Sequence, residues 1–153
     1  MRLVVVIDTN VWVSAFLNPH GYAARLIAAG QAHGFAVVES LPLLEELLEV
    51  LCRPRIMRLR QTSVSEAQAY VRSVAAVARL VSVSGTLQVC RDPDDNVLLE
   101  TAIVGEATHV VSRDEDIVRD QDLIRQLEAR GIQLVTVSRL LAVLDGRTEG
   151  HPF

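Results

Sequence analysis

Aspartate is unevenly spread along this chain: seven of its nine copies fall between Asp92 and Asp122, and another, Asp8, directly follows the apolar run Leu3 to Ile7. A single Asp near a helix start satisfies free backbone N–H groups and sits well at the positive end of the helix dipole. Several carboxylates within a few ångströms instead repel and raise one another's pKa, a costly arrangement unless a cation neutralises it. Ligation by carboxylate oxygens alone suits Mg²⁺ or Mn²⁺ rather than zinc. What decides between capping and metal binding is whether acids far apart in the chain are brought to one place.

The elements that position these acids are legible from periodicity. Leu3 to Ile7 is a short, Val-rich apolar run stopped by Asp8-Thr9-Asn10, as expected of a parallel strand buried on both faces. Helical segments follow, Asn18-Pro19-His20-Gly21 makes a turn, and Tyr22 to His33 has helical spacing until Gly34. A second strand is expected at Phe35 to Glu39. Ser40 is placed to cap the next helix, whose stripe of Leu41, Leu44, Leu47, Leu48 and Leu51 is interrupted at Arg53-Pro54. Ser63 and Glu66 have capping-box spacing for a helix reaching Arg79, and Leu80 to Val83 reads as a short strand. Asp92-Pro93-Asp94-Asp95 opens a helix that runs to Val104. His109 to Ser112 is a strand, Asp114 to Arg130 is helical with room for a break, and Gly131 is its stop. Gln133 to Val137 is the last strand, and Ser138 caps a final helix. Strands alternating with helices predict a three-layer α/β/α sandwich around a parallel sheet. One domain spans residues 1–145, and Gly146 to Phe153 reads as a flexible tail.

In such a sheet, ligands bind beyond the carboxyl ends of the strands, near the point where strand order reverses. Asp8 ends the first strand, Asp114 lies two residues past His109 to Ser112, and Asp95 opens a helix expected to face the same rim. By pattern alone Glu45, Glu46 and Glu49 read as a solvated helix face. His20, His33, His109 and His151 have no metal-binding spacing, and none is given a catalytic role.

Composition agrees with one core and limits the partners. The chain has 153 residues, 50% hydrophobic but only 4% aromatic, so its interior is built from Val, Leu, Ile and Ala. A net charge of −4 gives no global attraction to nucleic acid. All 15 basic residues are Arg, and Arg53, Arg55, Arg58 and Arg60 form a local run that is the candidate contact for an RNA backbone. Leu3 to Ile7 is far too short for a signal-peptide core or a membrane span, so a cytoplasmic protein without a membrane partner is expected. Cys52 and Cys90 stand apart and read as reduced, partly buried thiols.

Four segments in register resemble the PIN-domain ribonucleases, in particular the bacterial toxin-like branch related to VapC. They are Val5-Val6-Ile7-Asp8-Thr9-Asn10-Val11; Glu45-Glu46-Leu47-Leu48-Glu49-Val50-Leu51 before Arg53-Pro54; Arg91-Asp92-Pro93-Asp94-Asp95-Asn96; and Val110-Val111-Ser112-Arg113-Asp114-Glu115-Asp116. The resemblance implies a PIN-like fold whose metal is held by Asp8, Glu46, Asp95 and Asp114, with Asp116 at a further, variable acidic position. Glu46 is favoured over Glu45 and Glu49 because it begins the family-like Glu-Leu-Leu-Glu-Val-Leu stretch. Thr9, Asn10 and Ser112 are implied as polar support; Asp92 is a weaker candidate acting through water, and Asp94 is a weaker one that could cap its helix. Ser112-Arg113-Asp114 departs from the Thr-Gly-Asp turn of many relatives but removes no acid.

The implied activity is hydrolysis of single-stranded RNA phosphodiesters with one or two Mg²⁺ or Mn²⁺ ions. The implied partners are a small antitoxin protein covering the site and a second copy in a homodimer. A catalytically degenerate PIN-like module that binds RNA is the rival from another class. A receiver-like domain would want a pair of acids before the first loop and a Lys after the last strand, and this chain has no Lys. A phosphatase using Asp8 as nucleophile would want a second Asp where Asn10 stands.

Overall fold

A computed structural model of the chain describes residues 2–113 and 120–149. Its strands are β1 (Leu3–Ile7), β2 (Phe35–Ser40), β3 (Arg79–Val81), β4 (His109–Ser112) and β5 (Gln133–Thr136). They form one five-stranded sheet in the order β3-β2-β1-β4-β5, parallel at each pairing. The described helices are α1 (Thr9–Leu17), α2 (Tyr22–Ala29), α3 (Leu41–Leu51), α4 (Pro54–Arg60), α5 (Val64–Val77), α6 (Pro93–Val104), α7 (Gln121–Glu128) and α8 (Val137–Glu149). None is long and apolar enough to cross a membrane.

Side chains of a strand point alternately to opposite faces, so continuous apolar runs must be covered on both. Val5, Ile7, Val37 and Val111 pack in one cluster with residues of α1, α2, α3, α5 and α8. Val6, Val38 and Val110 pack in a second with residues of α6 and α7. The result is the expected three-layer sandwich.

Several local expectations change once tertiary neighbours are present. The predicted helix Tyr22 to His33 ends at Ala29 and passes into a π-helical turn over Gly30–Gly34. A Cβ on Gly30 would lie 2.2 Å from the Phe35 ring, so this close approach requires glycine. Ser40 precedes α3 but makes no cap bond. Its buried hydroxyl lies 2.8 Å from Thr101 Oγ1 on α6; because Thr101 donates its own proton to the Val97 carbonyl, Ser40 is the donor. Ser63 does cap α5, accepting from the Glu66 N–H at 3.2 Å. The last helix begins two residues earlier than expected, and its cap is Thr136, which accepts from the Arg139 N–H at 3.1 Å, rather than Ser138. Gly131, beyond α7, adopts φ +76°, the left-handed conformation of a helix stop. The helix α8 continues through Gly146 to Glu149.

Candidate active site

From β1 the chain builds outward through β2 to β3, then returns to the other side of β1 for β4 and β5. Strand order therefore reverses between β1 and β4, and a crevice at their carboxyl ends is the expected binding place. A cleft of about 760 Å³ opens there. Asp8 lines it from the end of β1, Asn10 from the first turn of α1, Glu46 from α3, Asp92, Asp94 and Asp95 from the start of α6, and Asp120 and Asp122 from the start of α7.

Asp8 is fixed from both its backbone and its side chain. Its N–H donates to the Val111 carbonyl at 2.9 Å, extending the β1–β4 ladder, and its Oδ2 accepts from the Ser112 hydroxyl at 2.8 Å. Although Asp8 holds the N-cap position of α1, its side chain makes no cap bond. Thr9 is buried and hydrogen-bonds Glu46, while the Asn10 carbonyl accepts from Ser14 Oγ at 2.9 Å. Desolvation, followed by the charges of Asp8 and Asp94, pushes the Glu46 carboxyl above its ordinary range, and the Thr9 hydrogen bond opposes that rise. Asp8 and Glu46, 38 positions apart, thus feel each other's charge.

The opposite wall is built differently. Asp92 is the cap of α6, accepting from the Asp94 N–H at 3.0 Å, so the capping role expected of Asp94 belongs to Asp92. Asp94 instead presses its charge on Glu46. Asp95 is raised to about 7 by burial and then by Asp120, Asp92 and Asp8; a hydrogen bond with Asp120 adds to the rise. Asp122 accepts from the Arg91 N–H at 2.8 Å and lies 3.5 Å from the Arg125 guanidinium. Asp114 and Asp116 lie outside the described residues.

Asp120 and Asp122 were missed because Asp114 to Arg130 reads as helical with room for a break that was given no position. The helix start at Gln121, with Asp120 at its N-cap position and Asp122 in its first turn, is the signal that would have found them. Glu39 was also missed. It is 2% exposed on the same face of β2 as Phe35 and Val37, and its Oε1 accepts from the Trp12 indole at 3.2 Å while Oε2 has no partner. Burial carries its carboxyl up to about 8 against the effect of Trp12, helped by the charges of Asp8 and Glu46.

The arginines of α4 are partly engaged elsewhere. Arg53 makes two bonds to Glu49, at 2.8 and 3.2 Å. Arg60 donates to the Phe16 carbonyl and stacks 5.3 Å from the Phe16 ring centre, holding α4 on α1. Arg55 and Arg58 are exposed.

Among the described residues, no three His, Cys, Asp or Glu side chains converge as a complete set for a metal ion. The donor chemistry nevertheless fits a hard divalent cation. The acids of the cleft offer oxygen alone, and burial followed by the charges of neighbouring acids raises Glu46 and Asp95.

Fold and cleft together define a parallel α/β sandwich with an acidic centre at its switch point, an arrangement suited to binding a divalent cation beside a phosphate. The chain belongs to the PIN domain family, whose model matches residues 4–116. PIN domains are generally nucleases and usually use divalent metals. Over 134 residues the chain is 24% identical to the uncharacterized protein MJ1680 of Methanocaldococcus jannaschii, a match covering 88% of this chain and 85% of the relative. Two solved structures share the fold at 14% identity. PAE2754 from Pyrobaculum aerophilum superposes with a TM-score of 0.58, covering 94% of this chain and 90% of its own. VapBC2 from Rickettsia felis, bound to a DNA fragment from their promoter, gives 0.56, with coverage of 88% and 98%.

Proposed function

We propose that the chain is a Mg²⁺- or Mn²⁺-dependent endoribonuclease that hydrolyses single-stranded RNA, acting as the toxin of a toxin–antitoxin pair. The observation that carries this reading is the crowding of carboxylates at the switch point, where burial and the charges of Asp120, Asp92 and Asp8 lift Asp95 to about 7. Asp8, Glu46 and Asp95, joined by Asp114, are the proposed ligands, with Asp116 as an additional acid. A bound divalent cation supplies a lower pKa for the attacking water and neutralises charge on the phosphate.

This chain's own groups prepare that chemistry. Ser112 donates to one oxygen of Asp8 and helps to orient the carboxylate, and the Thr9 hydrogen bond opposes the rise in the Glu46 pKa. Burial first, then the charges of Asp120, Asp92 and Asp8, raise Asp95 to about 7, so a proton competes with a cation at this carboxylate. Family membership supports nuclease chemistry, and the likeness to VapBC2 supports a small antitoxin as partner. A homodimer working in the cytoplasm completes the proposal.

The test uses purified full chain, free of any antitoxin, and mixed-sequence single-stranded RNA in Mg²⁺, in Mn²⁺ and in chelator, beside Asp8→Asn and Asp95→Asn variants. Metal-dependent cleavage that both substitutions abolish is the expected result. RNA that binds yet stays intact in every metal overturns the catalytic reading and leaves the non-catalytic RNA-binding module. Size-exclusion chromatography at micromolar concentration checks the dimer.

A further inference from the structure

An acid-lined cleft repels the polyanion it is proposed to cut, so backbone affinity has to come from cations beside it. Among the described residues lining the cleft, two are cationic: Arg91, in the loop before α6, and Arg125, on α7. One acid organises both. Asp122 Oδ2 accepts from the Arg91 backbone N–H at 2.8 Å, tying that loop to α7, while Asp122 Oδ1 lies 3.5 Å from the Arg125 guanidinium. The pairing leaves the Arg125 side chain 67% exposed, and an exposed ion pair of this length is weak enough to yield to a phosphate. The Arg91 side chain is exposed as well. On α4, by contrast, Arg53 is forked onto Glu49 and Arg60 is bound to Phe16.

We propose that Arg91 and Arg125 hold the RNA phosphate backbone along the α6–α7 rim of the cleft, and that Asp122 is the positioning residue that sets both on that rim. This rests on the nuclease reading of the same cleft and deepens it by naming the substrate-holding side. Guanidinium is the fitting group because its planar fork takes two phosphate oxygens at once. The backbone therefore lies along the α6–α7 wall, with the bond to be cut facing Asp8 and Glu46.

The experiment measures binding of a fluorescently labelled, mixed-sequence single-stranded RNA to the full chain carrying Asp8→Asn, across a KCl series at fixed Mg²⁺. Arg91→Ala and Arg125→Ala are each expected to weaken binding several-fold. Each should also flatten the slope of log Kd against log salt by about 0.7, the share of one single-strand phosphate contact. Arg91→Lys and Arg125→Lys should restore the slope without restoring full affinity. Asp122→Ala separates positioning from bulk charge: removing an acid from an acidic cleft should tighten RNA binding by Coulomb attraction alone, whereas loss of the Arg91 tether should weaken it. Thermal melting identifies any variant that loses its fold, and the lysine variants then carry the comparison through their affinity relative to the parent.

Unchanged slopes in both alanine variants, with RNA cleavage by the wild-type chain intact, overturn the proposal and leave the nuclease reading standing. Tighter binding by Asp122→Ala overturns the role of Asp122. A wild-type chain that neither binds nor cleaves RNA in Mg²⁺ or Mn²⁺ overturns both readings together.

Discussion

The two walls of the cleft handle the same problem, carboxylates placed near one another, by different physics. On the β1–α3 wall each acid has a hydroxyl donor, Ser112 for Asp8 and Thr9 for Glu46. On the α6–α7 wall Asp95 is buried and faces Asp120, another carboxylate, and the two effects raise it to about 7. Donated hydrogen bonds favour the charged form and orient it; a like-charged neighbour favours the protonated form. Both walls carry a raised acid, but on the first the hydroxyl donors oppose the rise, whereas on the second the neighbour adds to it.

The largest expected effect comes from removing one acid of either wall. Asp8→Asn and Asp95→Asn should each lower kcat/KM for RNA by about a thousandfold or more, read by initial cleavage rates at saturating Mg²⁺. Equal losses on both walls would show that the two act on one centre; retention of activity by Asp95→Asn would confine the chemistry to the β1–α3 side.

Next is Glu39, packed into the first wall without enough donors. Its folded pKa is raised from 4.5 to about 8, so the folded state keeps a proton that the unfolded chain has lost. Stability contributed by this group is accordingly present below about 4.5 and declines as pH rises to 8. Glu39→Gln should remove that decline and be more stable than wild type at pH 9, by up to roughly 5 kcal/mol, with little difference at pH 4. Denaturant melts at the two values check the sign.

The proton of the second wall predicts a smaller effect, up to about tenfold per pH unit. Asp95 is raised to about 7, so below that value a cation competes with a proton, and the Mg²⁺ concentration for half-maximal cleavage should climb as pH falls. Asp120→Ala deletes the charge that, after burial, contributes most to the rise. It should move the break to lower pH. A break that stays in place would assign the proton to another group.

Smallest is the loss of a donor. Ser112→Ala leaves Asp8 in place but unoriented and should cost about tenfold in activity or metal affinity, as such supporting contacts do. If Ser112→Ala costs as much as Asp8→Asn, Ser112 is more than support.

Much of the framework was readable from local pattern. Leu3 to Ile7 and His109 to Ser112 were visible as strands, and Asp92-Pro93-Asp94-Asp95 as the start of a helix, because these signals depend on neighbours a few residues away. Where two partners lay far apart in the chain, local pattern misled. Ser40 looked like a cap and instead reaches Thr101, 61 positions on. Arg60 looked like part of a basic surface and instead holds Phe16, 44 positions back. In both cases the local role was chemically sound, but a tertiary partner took up the same side chain.

The amino-acid sequence by itself determined the parallel layered class, the placing of Asp8 at a strand end and the helix start that presents Asp95, since the periodicity of apolar residues and the chemistry of caps act over short range. Tertiary structure alone decided which acids meet. Crossovers bring Asp8, Glu46, Asp95 and Asp120 into one cleft, bury Glu39 beside Trp12 and set Arg91 and Arg125 on a shared Asp122. Those outcomes depend on distances across the folded chain, and charge repulsion, desolvation and hydrogen bonding act through space rather than along the sequence.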